Sequence, residues 1–96
     1  MKDLATIKSV LATLKPDLER AFHVKSIGIF GSAVRTDFTP ESDIDLIVEF
    51  DQPVGISFID LADFLELKMQ TKVDLVSRNG IKPQYFTAIE KEIVYV

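Results

Sequence analysis

The sequence predicts an α+β domain of two layers, a mixed β-sheet packed against helices. Short apolar runs at 26–30, 43–50, 73–76 and 93–96 have strand length. Apolar residues at helical spacing fill segments between and before them. The acids of the middle strands fall near strand starts, whereas a doubly wound nucleotide fold gathers its ligands at strand C-termini. A chain of 96 residues has room for one core, so residues 1–96 are expected to form a single domain.

Each element has its own signal. Leu4, Ile7, Val10, Leu11 and Leu14 mark a first helix, with Asp3 placed to cap it. Pro16 interrupts that pattern and is suited to open a new turn through Leu18, Ala21 and Phe22. Ser26 to Phe30 reads as strand one; Gly31-Ser32 is a tight turn leading into a short helix near Ala33. Thr39-Pro40-Glu41-Ser42 is a polar turn before strand two, Asp43 to Phe50. Gln52-Pro53-Val54-Gly55 breaks the chain, and Ser57 with Asp60 makes a capping box for a helix whose stripe is Phe58, Leu61, Ala62, Leu65 and Met69. Val73 to Val76 is strand three, Arg78-Asn79-Gly80 a turn, and Pro83 opens a last helix carrying Tyr85, Phe86 and Ile89. Ile93 to Val96 closes the pattern as a strand.

Composition narrows the partners. Net charge is −4 with no run of Lys or Arg, which argues against capture of duplex nucleic acid. No apolar run is long enough for a membrane span, and with no cysteine there is no disulfide, thiolate metal site or thiol nucleophile. A cytoplasmic protein is expected.

The chemistry is concentrated in three acids and one turn. Residues i and i+2 of a strand face the same way, so Asp43 and Asp45 are expected side by side. Adjacent carboxylates repel unless a cation lies between them. The segment from strand two to strand three suits a parallel crossover, which would bring Asp74 to the same sheet edge. Gly31 reaches that edge only if strand one runs antiparallel to strand two. Three carboxylates suit Mg²⁺ or Mn²⁺, and two such ions about 3.5–4 Å apart serve an in-line displacement at phosphorus. Asp43 and Asp45 would bridge both ions; Asp74 would hold the ion that activates the incoming hydroxyl and take its proton. Ser32 and nearby N–H groups would grip the β- and γ-phosphates of a nucleotide, with Gly31 allowing close backbone approach.

Plainer readings stand beside these. Asp43 and Asp45 also suit a strand cap, and Ser32 a helix cap. Arg35 is either a phosphate ligand or an ion-pair partner of Asp37 or Glu41. His23, at a helix end, reads as structural.

Taken together, Gly31-Ser32, Arg35, Ser42-Asp43-Ile44-Asp45 and Val73-Asp74-Leu75 resemble the signature of the polymerase-β-type nucleotidyltransferases. The similarity is strongest to the minimal nucleotidyltransferases (MNT), which pair with HEPN-domain proteins. It spans most of the chain; Thr36 stands where the family usually has glycine. The resemblance implies the nucleotidyltransferase fold, with Asp43, Asp45 and Asp74 as catalytic and metal-holding residues. Gly31, Ser32, Arg35 and Ser42 would bind the nucleotide, and two Mg²⁺ or Mn²⁺ ions are implied. The implied reaction moves AMP from ATP to a hydroxyl, here a tyrosine of a HEPN toxin that the chain restrains as antitoxin. Two other functions fit the same residues: a non-catalytic module that neutralises a partner by occlusion, and nucleotidyl transfer to a small molecule.

Overall fold

The computed structural model describes residues 3–35, 39, 41–53, 55 and 57–96. Helix α1 runs from Leu4 to Phe22 and is capped by Asp3, whose Oδ1 accepts the Thr6 N–H at 2.8 Å. Pro16 does not end it, contrary to the sequence expectation. Ile7, Leu11, Leu14 and Leu18 form one buried stripe across the proline. Continuous burial of that stripe outweighs the one helical bond that proline removes, and Ala12, whose carbonyl loses it, is exposed. His23 closes the helix in the left-handed conformation (φ 58°), its backbone N–H bonded to Leu18 O.

Strand β1 (Val24–Phe30) leads into a single 3-10 turn, Gly31–Ala33, in place of the expected helix beginning near Ala33. Ser42 N–H bonds Thr39 O at 3.0 Å, confirming the polar turn there, while its Pro40 lies outside the described residues. Strand β2 (Ile44–Phe50) starts one residue later than expected, leaving Asp43 just ahead of it. Helix α2 (Ser57–Met69) begins at Ser57 itself. Ser57 is therefore its first residue and not its cap, and the preceding position lies outside the described residues. Strand β3 is Val73–Ser77, helix α3 is Pro83–Ile89, and a 3-10 turn, Glu90–Glu92, precedes strand β4 (Val94–Tyr95).

The sheet order is β3-β2-β1-β4. β1 is antiparallel to β2 and β4, and β2 is parallel to β3, so the sheet is mixed as the placement of Gly31 required. One face of the sheet carries Ile27, Ile29, Ile44, Leu46 and Val48, buried against Ile7, Leu11 and Leu18 of α1 and Leu61, Leu65 and Met69 of α2. Each such side chain contributes roughly 1.5–3 kcal/mol relative to exposure. Glu66 Oε2 accepts the Val73 N–H at 3.0 Å, and Lys72 O accepts the Ile44 N–H at 2.9 Å. These bonds set the start of β3 level with the start of β2, and that alignment decides where the acids meet.

Candidate active site

Strand alternation puts Asp45 on the sheet face opposite the core, because Ile44 and Leu46 on either side are fully buried. In the parallel ladder Asp45 is paired with Asp74, and in the antiparallel ladder with Phe30. Paired residues project to the same face. The crossover through α2 therefore brings Asp74 beside Asp45, as the sequence predicts. Asp43 lies two residues upstream, just before the strand, and is exposed like Asp74; Asp45 is half-buried.

This arrangement is costly for the central carboxylate. Burial pushes the Asp45 carboxyl up to about 6, and the negative charges of Asp74 and Asp43 push the same way, with Arg35 offsetting part of the effect. Among the described residues, no three His, Asp or Glu side chains close on one point as a preassembled metal site. The three acids gather at one sheet edge, two of them turned to solvent. The donor set still fits a hard divalent ion: carboxylate oxygens only, around an acid whose charged form is disfavoured until a positive charge arrives.

Gly31 is required at its position on two grounds. Its φ of 74° is left-handed, and a Cβ there would collide with Asp45 Oδ2. The turn thus leans directly on the central carboxylate. Carbonyl O of Gly31 accepts the N–H groups of Val34 (3.0 Å) and Arg35 (3.1 Å), closing the turn. Ser32 is partly exposed, and among the described residues its hydroxyl makes no hydrogen bond. Ser42 is committed otherwise: its Oγ accepts the Thr39 N–H at 3.0 Å and lies 3.1 Å from Thr39 Oγ1. In this position it shapes the turn that delivers Asp43.

Arg35 faces Glu92, with Nη1 3.4 Å from Oε2 and 3.5 Å from Oε1. Of the two partners expected from the sequence, Asp37 lies outside the described residues. Glu92 was not legible as a site residue. Its Oε1 also accepts the Gly31 N–H at 3.0 Å, a contact across 61 residues of chain. The only sequence signal was an acid just ahead of the last apolar run, and its meaning depends on how β4 pairs.

Comparison with known proteins agrees with this geometry. Residues 11–96 match the nucleotidyltransferase domain profile. The chain is 37% identical over 97 residues to the protein adenylyltransferase MntA of Thermococcus cleftensis, covering all of this chain and 98% of that one. It is 42% identical over 98 residues to MJ0128 of Methanocaldococcus jannaschii, named as a candidate protein adenylyltransferase, with both chains covered in full. Among solved structures, a candidate minimal nucleotidyltransferase superposes with a TM-score of 0.80 at 26% identity, covering 96% of this chain and 94% of that one. A toxin–antitoxin structure with AMP-PNP superposes at 0.61 and 26% identity, covering 73% of this chain and 59% of that one. The tri-AMPylated HEPN toxin of Shewanella oneidensis in complex with its MNT antitoxin provides a third match, at 0.61 and 21% identity, covering 95% of this chain and 66% of that one. The matched span takes in the whole sheet, the Gly-Ser turn and all three acids. The chain belongs to the nucleotidyltransferase domain family.

Proposed function

We propose that this protein is an adenylyltransferase that moves AMP from ATP to a tyrosine hydroxyl of a HEPN-type helical partner, and so acts as its antitoxin. The observation that carries the reading is the register pair Asp45–Asp74 with Gly31 packed onto the Asp45 carboxylate, which sets an anion-tolerant turn against a cation-seeking trio. The names of the relatives support the reaction, and the AMP-PNP and HEPN complexes of similar proteins support the nucleotide and the partner.

In the reaction a bond forms between the tyrosine oxygen and the α-phosphorus, the bond from that phosphorus to the β-phosphate oxygen breaks, and pyrophosphate leaves. Asp43, Asp45 and Asp74 would hold Mg²⁺ or Mn²⁺, which when bound stabilises charge on the attacking and leaving oxygens. Asp74, exposed on the edge strand, takes the proton of the incoming hydroxyl. Ser32 and the backbone of the Gly31–Ala33 turn bind the phosphates and orient the α-phosphorus. The acceptor comes from the partner, because among the described residues Asp43 and Asp74 are exposed on the sheet face opposite the α1 and α2 core, open to an incoming hydroxyl.

The test is incubation with ATP, Mg²⁺ and the partner, followed by mass spectrometry. An adenylyl adduct on a partner tyrosine is expected with wild type and none with Asp45→Asn. Equal neutralisation of the partner by both proteins, with no adduct, would establish occlusion and overturn the enzyme reading.

A further inference from the structure

Glu92 belongs to neither the acid trio nor the turn, yet it touches both ends of the turn. Its carboxylate accepts the Gly31 N–H at 3.0 Å through Oε1, and both its oxygens lie 3.4–3.5 Å from Arg35 Nη1. Gly31 is the first residue of the turn and Arg35 follows close after its last. One side chain therefore pins the segment at its two ends. It is only a quarter exposed, and the Arg35 side chain about half.

The sheet explains why Glu92 is there. In the β1–β4 ladder Gly28 pairs with Tyr95 and Ile29 with Val94. Two residues beyond that last pair, the same register sets Glu92 across from Gly31. The backbone of β4 does not extend so far, and the Glu92 side chain supplies the acceptor that the next strand residue would have offered. Asp45 meets Gly31 from the opposite side, across the β1–β2 ladder. Glu92 accordingly meets the turn from the β4 side, opposite Asp45. The bond from the Gly31 N–H is charge-assisted and the stronger of the two, while the half-exposed Arg35 guanidinium, at 3.4–3.5 Å, adds a weaker ion pair.

We infer that Glu92 is a positioning residue for the nucleotide: it clamps Gly31 and Arg35 so that the intervening Ser32 and Ala33 present their polar groups to the phosphates in one fixed geometry. This rests on the adenylyltransferase reading for the identity of the ligand, while the clamp itself rests on the Glu92 contacts alone. It also makes the C-terminal 3-10 turn part of the nucleotide site, although that turn is far from it in sequence.

Glu92→Ala and Glu92→Gln in the full chain test the inference with two readouts. The first is KM and kcat for ATP with Mg²⁺, measured well below each variant's melting temperature. Loss of one charge-assisted bond predicts a KM for ATP raised about tenfold in Glu92→Ala with kcat changed much less. Glu92→Gln, which keeps an acceptor for Gly31 but loses the charge facing Arg35, should fall between. The second readout is amide exchange at Gly31 without nucleotide, expected to quicken about tenfold in Glu92→Ala while Ile27 and Ile29 exchange as before. A role confined to stability would lower the melting temperature of both variants and leave KM unchanged, which would overturn the inference. Tighter ATP binding by Glu92→Ala would also overturn it, because Glu92 would then be a competitor of the phosphates. Wild type that neither binds ATP nor transfers from it refutes the adenylyltransferase reading and the nucleotide half of the inference together. Exchange at Gly31 then tests the clamp separately, and an unchanged rate in Glu92→Ala would refute it.

Discussion

Asp45 concentrates the tension of the site. Its carboxyl is raised from 3.8 to about 6, by burial first and by Asp74 and Asp43 next. The folded chain therefore holds a proton there that the unfolded chain has already released between those two values. The stabilisation this gives is complete below the lower value and disappears as pH rises through the upper one. Asp45→Asn should match wild type near pH 4 in chelator and exceed it near pH 8, as read from chemical-denaturation midpoints. A difference between the two proteins that stays constant with pH would refute this account of Asp45. Asp45 and Asp74 were legible in the sequence because strand parity and a crossover of the right length determine where they meet. Asp43 reaches the site by another route than parity implies: the strand begins at Ile44, so Asp43 arrives from the Thr39–Ser42 turn and not along the pleat. Glu92 was illegible because its role depends on a two-residue strand pairing, and no local pattern announces such a register.

Among the elements, α1 departs furthest from its sequence. Local rules end a helix at or before Pro16, and they fail here because four buried residues on both sides of it need one continuous axis. The same observation predicts a gain from removing the proline. Pro16 is exposed, so Pro16→Ala changes no core contact, restores the bond to the Ala12 carbonyl and relieves the ring's clash with that turn. Some of the benefit is offset by the greater freedom of the unfolded chain. A net stabilisation of about 1–2 kcal/mol is expected from urea unfolding. Unchanged or lower stability would mean that α1 has already relaxed around the proline. Helix α2 follows its sequence more closely, since Leu61, Leu65 and Met69 are the buried stripe that its spacing predicts. Its start is displaced by one residue, a common outcome where capping depends on a neighbour's backbone angle.

In the molecule as a whole, the fold class was legible because each strand and helix declared its period, and the mixed sheet followed from requiring Gly31 and the acids to share an edge. What that sheet does to the chain is to collect at one rim a turn after β1, the approach to β2, the second residue of β3 and the residue two before β4. No half of the polypeptide contains the set, and its farthest members are joined by the bond between Gly31 and Glu92. Loop closure over such separations comes late, since ordering entropy must be met before the contacts form. Refolding followed in parallel by far-ultraviolet dichroism and by ATP binding should show helices first and binding only with the final phase. Binding that recovers together with the earliest dichroism signal would contradict this. An unfinished chain would then bind no ATP, and the rim would act as a built-in completion check: on the proposed activity, adenylyl transfer would report that every strand has been threaded into its register.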